Sequence, residues 1–205
     1  MIIAYYGLEF FKVQFGDLII GINPTAGKKF GADIALVTIA HEDFSAVENL
    51  AHGGREPFVV NGPGEYEVKG VSIRGFASKT AYEKEEMWNT IYLLTLEDMK
   101  LCFLGALPGP TLPPEAKEHM EDVHILFTPV GGGDVLAPAE GYKLAVELSA
   151  NVIIPMHYAD AEGEKNLKIF LKEGGMEKVA PVEKLTVKKK DVAGKEGEIV
   201  VLSQS

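Results

Sequence analysis

Residues 35–44, ALVTIAHEDF, join an apolar run to a polar stretch. The apolar part, Ala35–Ile39, is typical of a strand that is covered on both faces. His41 and Asp43 follow it directly, in the loop that the strand leads into. Loops at the carboxyl ends of strands are where α/β folds usually hold ligands and catalytic groups. The stretch therefore predicts a buried strand with candidate functional side chains at its end.

A second junction of the same kind lies near the end of the chain, at residues 152–158, VIIPMHY. A short apolar strand is predicted at Val152–Pro155, and His157 comes just after it. The chain contains five histidines, and His41 and His157 are the two that follow predicted buried strands. These two are the histidines that we expect to lie in a functional site.

The segments around these junctions predict a single layered α/β domain over residues 1–205. The first half is β-rich, from three short strands at Ile2–Tyr6, Phe10–Gln14 and Leu18–Ile22 to a strand at Lys100–Leu104. The second half alternates strands with helices at Pro138–Ser149 and Glu164–Lys172. No linker or internal repeat divides the chain.

The sequence patterns of the remaining segments are less regular. Ser45–Ala51 is compatible with a helix that Ser45 would cap. The segment Ala77–Trp88 carries several charges and is interpreted as an exposed loop or hairpin tip. Lys184–Lys188 and Glu198–Leu202 are expected to form closing strands.

Composition limits the classes of function. Thirty acidic and twenty basic residues give a net charge of −10, which disfavours nucleic acid as a partner. No apolar run approaches the ~20 residues that a membrane span needs, and the first residues do not resemble a signal peptide, so we expect a cytoplasmic protein away from membranes. Cys102 is the only cysteine and is interpreted as an inert core thiol.

Several short motifs occur in order over roughly the first 160 residues, namely Met1–Gly7, Gly21–Pro24, Ala32–Asp33, Gly62–Val68, Leu104–Gly105, Thr128–Gly132 and Pro155–Tyr158. Together they resemble the metallo-β-lactamase-fold superfamily, in the branch of ascorbate-phosphate-lactonase-like hydrolases. The resemblance implies a four-layer αβ/βα sandwich with its site at one edge of the two sheets. It also implies hydrolysis by a bridging hydroxide on two metal ions, usually zinc or manganese.

The ligand motif of that family, T-H-x-H-x-D-H followed by later His and Asp ligands, is only partly present. His41, Asp43 and His157 match three of the metal ligands. The other ligand positions carry apolar residues, namely Ile39, Phe44, Phe103 and Ala106, and the supporting Asp before the early proline is Asn23. We therefore expect that the dinuclear centre is largely lost and that hydrocarbon partly fills its cavity.

Two functions remain open. The first is a non-catalytic binding or structural protein, without a cofactor, whose partner is a small molecule or another protein, or a second copy in a homo-oligomer. The alternative is a hydrolase of a small phosphorylated or lactone-like substrate, with one zinc or manganese ion held by His41, Asp43 and His157. The same residues could instead be a polar remnant in which Asp43 hydrogen-bonds an imidazole. Catalytic residues stay unassigned, and Glu42, His52 and Glu65 are candidates for additional ligands.

Overall fold

In a computed structural model, residues 1–158 and 161–205 are described and form two mixed β-sheets with helices outside them. The first sheet contains β1 (Ile2–Tyr5), β2 (Phe11–Phe15), β3 (Leu18–Ile22), β4 (Ile34–Leu36), β5 (Phe58–Val60) and β12 (Lys184–Thr186). Their order is β12-β1-β2-β3-β4-β5. The members of this sheet are antiparallel from β12 to β3, whereas β3, β4 and β5 run parallel.

The second sheet contains β6 (Gly64–Val68), β7 (Val71–Tyr82), β8 (Glu85–Leu96), β9 (Met99–Phe103), β10 (Ile125–Pro129), β11 (Val152–Met156) and β13 (Glu198–Ile199). Its order is β13-β11-β10-β9-β8-β7-β6. The helices are α1 (Pro114–His119), α2 (Pro138–Glu147), α3 (Ala161–Glu173) and α4 (Lys189–Val192), with a 3-10 helix at Val47–Leu50. Strands β9, β10, β11 and β13 are parallel, and every residue of β10 and β11 is buried, as the apolar character of these two strands predicts.

The core lies between the two sheets and is built around aromatic side chains. Phe11 of the first sheet lies edge-on to Phe127 of the second, with ring centroids 4.9 Å apart. Phe127 in turn stacks on Phe103 at 3.7 Å. All three rings are buried, and each such side chain contributes about 1.5–3 kcal/mol on transfer from water. Face-to-face packing of apolar strand faces therefore holds the sandwich together.

Polar contacts fix the two sheets at the edge where the site lies. The buried hydroxyl of Tyr92, on β8, donates to the carbonyl of Val37 at 3.0 Å.

Outside the sheets, α2 packs on β10 and on α3, where the ring centroids of Tyr142 and Phe170 lie 5.9 Å apart. Leu50, from the 3-10 helix, lies directly over Gly21 of β3. The α/β sandwich and its helix-covered sheets are thus confirmed.

Of the two alternatives for Ala77–Trp88, the hairpin tip is confirmed and the exposed loop is wrong, because β7 and β8, of twelve residues each, pair through this segment with the turn at Glu83 and Lys84. The inward positions of β7 in this part alternate correctly but include small polar side chains, Ser78 and Thr80, which are buried. Their low apolar content conceals the period of two that would identify a strand.

Two further local predictions need correction. The helix at Ser45–Ala51 is a four-residue 3-10 helix, and the Ser45 hydroxyl donates to the carbonyl of His41 instead of capping it. The strand expected at Lys184–Lys188 ends at Thr186, because the following residues turn into α4. Among the described residues, no helix has the length and apolar character needed to cross a membrane.

Gly105, just after β9, provides a test of how tightly the sheets meet at this edge. It has a φ of +61°, and an added Cβ would overlap Asn89 Oδ1 and lie 2.9 Å from Thr38 Cβ. Gly16 has a similar φ of +56° but open space around it. We expect Gly16→Ala to cost about 1 kcal/mol of backbone strain, and Gly105→Ala to cost at least about 2 kcal/mol more. Urea unfolding measures both, and equal losses would contradict close packing at Gly105.

Candidate functional site

Tyr82, the last residue of β7, lies at the centre of the candidate site. Its ring centroid is 5.0 Å from that of His41 and 6.2 Å from that of His157. The phenol is 7% exposed and packs edge-on against Phe44 at 5.1 Å. The two histidines that the sequence selects therefore do reach the same edge of the sandwich, where both contact the same buried tyrosine ring.

His41 forms a small polar group with two carboxylates. The amide of Asp43 donates to His41 Nδ1 at 3.3 Å. His41 Nε2 lies 3.5 Å from Glu83 Oε2, which the β7–β8 turn brings to the site. Each of the three side chains offers one ligand atom, and these atoms all lie within 4.8 Å of one another. A single cation could contact all three.

The hydroxyl of Tyr82 donates to Asp43 Oδ2 at 3.2 Å. Burial raises the pKa of the Tyr82 phenol well above its usual value, and the negative charge and hydrogen bond of Asp43 raise it further. The phenol therefore stays protonated at neutral pH and remains a donor. Part of the lone-pair capacity of Asp43 is taken by protein rather than left free for an ion.

His157 belongs to a separate polar chain that runs into the interior. Its Nδ1 lies 3.1 Å from Oε1 of Glu9, which is fully buried. Glu9 Oε2 accepts from Asn23 Nδ2 at 3.1 Å, and the same amide nitrogen donates to Thr38 Oγ1 at 2.9 Å. The Asn23 side-chain oxygen accepts from the Thr38 amide at 2.8 Å, which completes its hydrogen bonding.

Backbone geometry holds this chain in place. His157 has a φ of +64° and Asn23 a φ of +49°, in the left-handed backbone region that residues other than glycine seldom occupy. The amide of His157 donates to the carbonyl of Leu8 at 2.6 Å, immediately before Glu9. Burial of a carboxylate costs several kcal/mol of folding free energy unless the group is paired. Glu9 therefore depends on its contacts with His157 and Asn23. His157 is accordingly held in one orientation.

Apolar side chains occupy the space next to His41. One cluster, here called the Tyr82 cluster, consists of Ile39, Phe44, Tyr82, Ala106 and Val135, each no more than 7% exposed. Three of its members stand at positions where the resemblance places metal ligands. The fourth such position, Phe103, is part of the main core. Phe103 stacks on Phe127 there.

The residues present do not fit a dinuclear metal centre. Ile39, Phe44, Phe103 and Ala106 have no donor atoms, and they are packed against other apolar groups rather than against polar ones. A bridging carboxylate between two ions would have to come from the position of Ala106. The donor set that does exist, His41, Asp43 and Glu83, has the chemistry for one ion only.

A cleft of about 580 Å³ lies beside the Tyr82 cluster. Its walls include His157, the glycine turn Gly131–Gly133, and three carboxylates, Glu83, Asp134 and Glu162. None of the described residues that line it is a lysine or an arginine. The turn is tight because an added Cβ at Gly131 would lie 2.6 Å from His157 Cδ2. His157 thus forms a wall of the cleft.

The structure separates the three ligands proposed from the sequence. His41 and Asp43 lie together, whereas His157 is paired with Glu9. The additional candidates Glu42 and His52 are exposed and stand outside the group, and Glu65 pairs with Arg74 at 3.3 Å. Sequence reasoning missed Glu9, Tyr82 and Glu83. A charge inside the apolar stretch GLEFF, residues 7–11, is the one signal that could have identified Glu9.

The sequence profile of the β-lactamase superfamily domain matches residues 2–157, so the chain belongs to this superfamily. No curated protein matches it. Among solved structures, a proposed zinc-dependent hydrolase of the metallo-β-lactamase superfamily from Thermotoga maritima is 27% identical, with a TM-score of 0.76. The alignment covers 98% of this chain and 97% of that one.

Two more distant structures share the fold. A proposed metal-dependent hydrolase from Parabacteroides distasonis is 17% identical, with a TM-score of 0.67 and coverage of 98% of this chain and 93% of that chain. Igni18, a metallo hydrolase from the archaeon Ignicoccus hospitalis, is 16% identical, with a TM-score of 0.63 and coverage of 91% and 99%. These similarities extend over nearly whole chains, and they establish the architecture around the site.

The two site histidines are expected to hold opposite neutral tautomers. His41 Nδ1 accepts from the Asp43 amide, which leaves the proton on Nε2, whereas Glu9 can only accept and so requires the proton of His157 on Nδ1. Long-range proton–nitrogen NMR at alkaline pH distinguishes the two forms. The same tautomer at both histidines would contradict the assignment.

The variant Glu9→Gln tests the origin of the His157 tautomer. The glutamine oxygen is needed by the Asn23 amide, so its NH₂ group faces His157 Nδ1 and must donate to it. We expect His157 to change to the Nε2–H tautomer in this variant. The spectrum of His41, which has no contact with Glu9 in the hydrogen-bond network, serves as the internal control.

Proposed function

We propose that this chain is a member of the metallo-β-lactamase superfamily that acts by binding, not by metal-dependent hydrolysis. The single observation that carries the proposal is the Tyr82 cluster, in which Ile39, Phe44 and Ala106 pack around a buried phenol. Catalytic zinc sites in proteins generally use three protein ligands and leave a position for water. Here apolar groups stand where several of those ligands and the water would be.

Energetics favour the filled state. A tightly packed apolar cluster loses about 2–5 kcal/mol when a large side chain is withdrawn from it. An ion bound by Asp43 and both histidines would compete with the Tyr82 ring, which contacts both imidazoles, and with its hydrogen bond to Asp43. The free energy of binding two ions would have to offset this loss of packing, although the site lacks several of the ligands that two ions need.

The cleft beside His157 is the binding site that we propose. His157 is kept rigid by Glu9 and Asn23, and its second ring nitrogen, which has no hydrogen-bond partner among residues 1–158 and 161–205, is the polar atom that we assign to a ligand. Rigid polar groups in a mainly preformed cavity are typical of small-molecule sites. Glu162 is paired with Lys165, but Glu83 and Asp134 keep the lining acidic, which repels phosphate and favours a neutral or cationic ligand.

The group of His41, Asp43 and Glu83 favours a second candidate, a hydrolase with one metal ion. In that case these three residues would hold the ion, which would supply an activated water when bound. This set replaces His157, the third ligand in the sequence-based alternative, with Glu83. Its weak point is Glu83, whose side chain is 65% exposed, so that binding an ion would have to displace much of its hydration.

Metal content separates the two candidates. We expect tag-free protein, incubated with zinc and manganese and then desalted, to contain metal far below one equivalent by plasma mass spectrometry. Its thermal unfolding should be unchanged by a chelator, because no folding free energy is linked to an ion.

Variants make the test specific. About one equivalent of metal that is lost in His41→Ala and Glu83→Gln but retained in Glu85→Gln would contradict the proposal and support the mononuclear hydrolase. Glu85 is the matched control because it is an exposed carboxylate in the same hairpin. Loss in His157→Ala with retention in Glu83→Gln would instead support the original set of His41, Asp43 and His157.

A further inference from the structure

Trp88, the only tryptophan of the chain, lies on the surface of the β7–β8 hairpin. It is 63% exposed, more than any other large apolar side chain in the described part of the structure. Its register partner across the hairpin is Lys79, whose ammonium lies 5.9 Å from the indole ring. An exposed tryptophan on a rigid strand is typical of the residues that dominate protein interfaces.

The indole forms a shared wall between two hollows. The first, of about 420 Å³, is bounded on its other sides by Ala77 and the proline-rich segment 107–114. The second, of about 380 Å³, is bounded by Ala81, Glu86 and Met87. The face therefore carries a projecting aromatic side chain directly beside cavities, in rigid surroundings of strand and proline.

This face carries one positively and one negatively charged side chain. Lys79 and Glu86 both line the second hollow and both are exposed. Among the described residues neither takes part in an ion pair within 4.0 Å. A surface that offers one cation and one anion can pair with its own copy across a two-fold axis, Lys79 to Glu86 in both directions.

We propose that this face binds a second copy of the chain in a two-fold symmetric dimer. Trp88 of each subunit enters a hollow of the other, and Lys79 lies against Glu86 across the interface. A two-fold contact uses the same patch on both subunits, so a projection beside a cavity and opposite charges on one face are what it requires. The proposal is independent of what the cleft beside His157 binds.

Sedimentation velocity on the full chain tests the proposal, at physiological salt, where screening limits repulsion between two copies of net charge −10. We expect a dimer that dissociates on dilution. Because Trp88 is the only indole, its fluorescence should move to shorter wavelength as the dimer forms. In Trp88→Ala the dissociation constant should rise by at least about thirtyfold.

Charge exchange supplies a test that does not remove apolar surface. Lys79→Glu and Glu86→Lys should each weaken the dimer, because like charges then meet across the axis, whereas the double variant should restore it. Val146→Ala, which trims an exposed apolar side chain on α2, should leave association unchanged.

Three results would overturn the proposal. The first is a monomer at all concentrations with the emission of an exposed indole. The second is a dimer that Trp88→Ala does not weaken, which would place the contact elsewhere. The third is a failure of the double charge exchange to restore association when both single variants weaken it.

Discussion

The packing of the Tyr82 ring against both His41 and His157 is the contact on which the site depends. It joins the end of β7 to the loop after β4 and to the end of β11, and its hydroxyl holds Asp43. Ile39, Phe44, Ala106 and Val135 close around it. In a hydrolase with two metals this space must hold ions, water and substrate. Here hydrocarbon and one phenol occupy it, and the packing that stabilises this edge of the sandwich is the observation that supports our proposal of a non-catalytic protein.

The second feature of the site is the hydrogen-bonded chain of the side chains Glu9, Asn23, Thr38 and His157. A fully buried carboxylate is retained even though the neighbouring ligand positions are apolar. Buried polar chains are favourable only when every member has its partner, and in this one each named side chain does. Such a chain fixes the direction of His157 at the wall of the cleft. The apolar Tyr82 cluster beside a rigid histidine is what supports the proposal that this edge of the sandwich binds a ligand.

The sequence predicts the features that depend on long apolar runs. The strands β10 and β11, the helix α2 and the positions of His41 and His157 at strand ends follow from hydrophobic periodicity and from the family motifs. The pairing of the outer half of the β7–β8 hairpin, residues 77–88, could not be predicted in the same way, because Ser78 and Thr80 face inward and interrupt the apolar pattern. The sequence leaves this segment open between a loop and a hairpin tip, and it carries Tyr82, Glu83, Lys79 and Trp88, so most of what was unforeseen about the site comes from it. Glu9 was missed because burial of a charge is decided by partners that are distant in sequence, Asn23 and His157.

Zinc-edge anomalous diffraction from crystals soaked in zinc tests most directly whether the Tyr82 cluster excludes metal. We predict no anomalous peak between His41, Asp43 and His157, with the Tyr82 hydroxyl still donating to Asp43. A zinc ion bound to Asp43 and to either histidine, with the Tyr82 ring displaced from the cluster, would contradict this interpretation of the site.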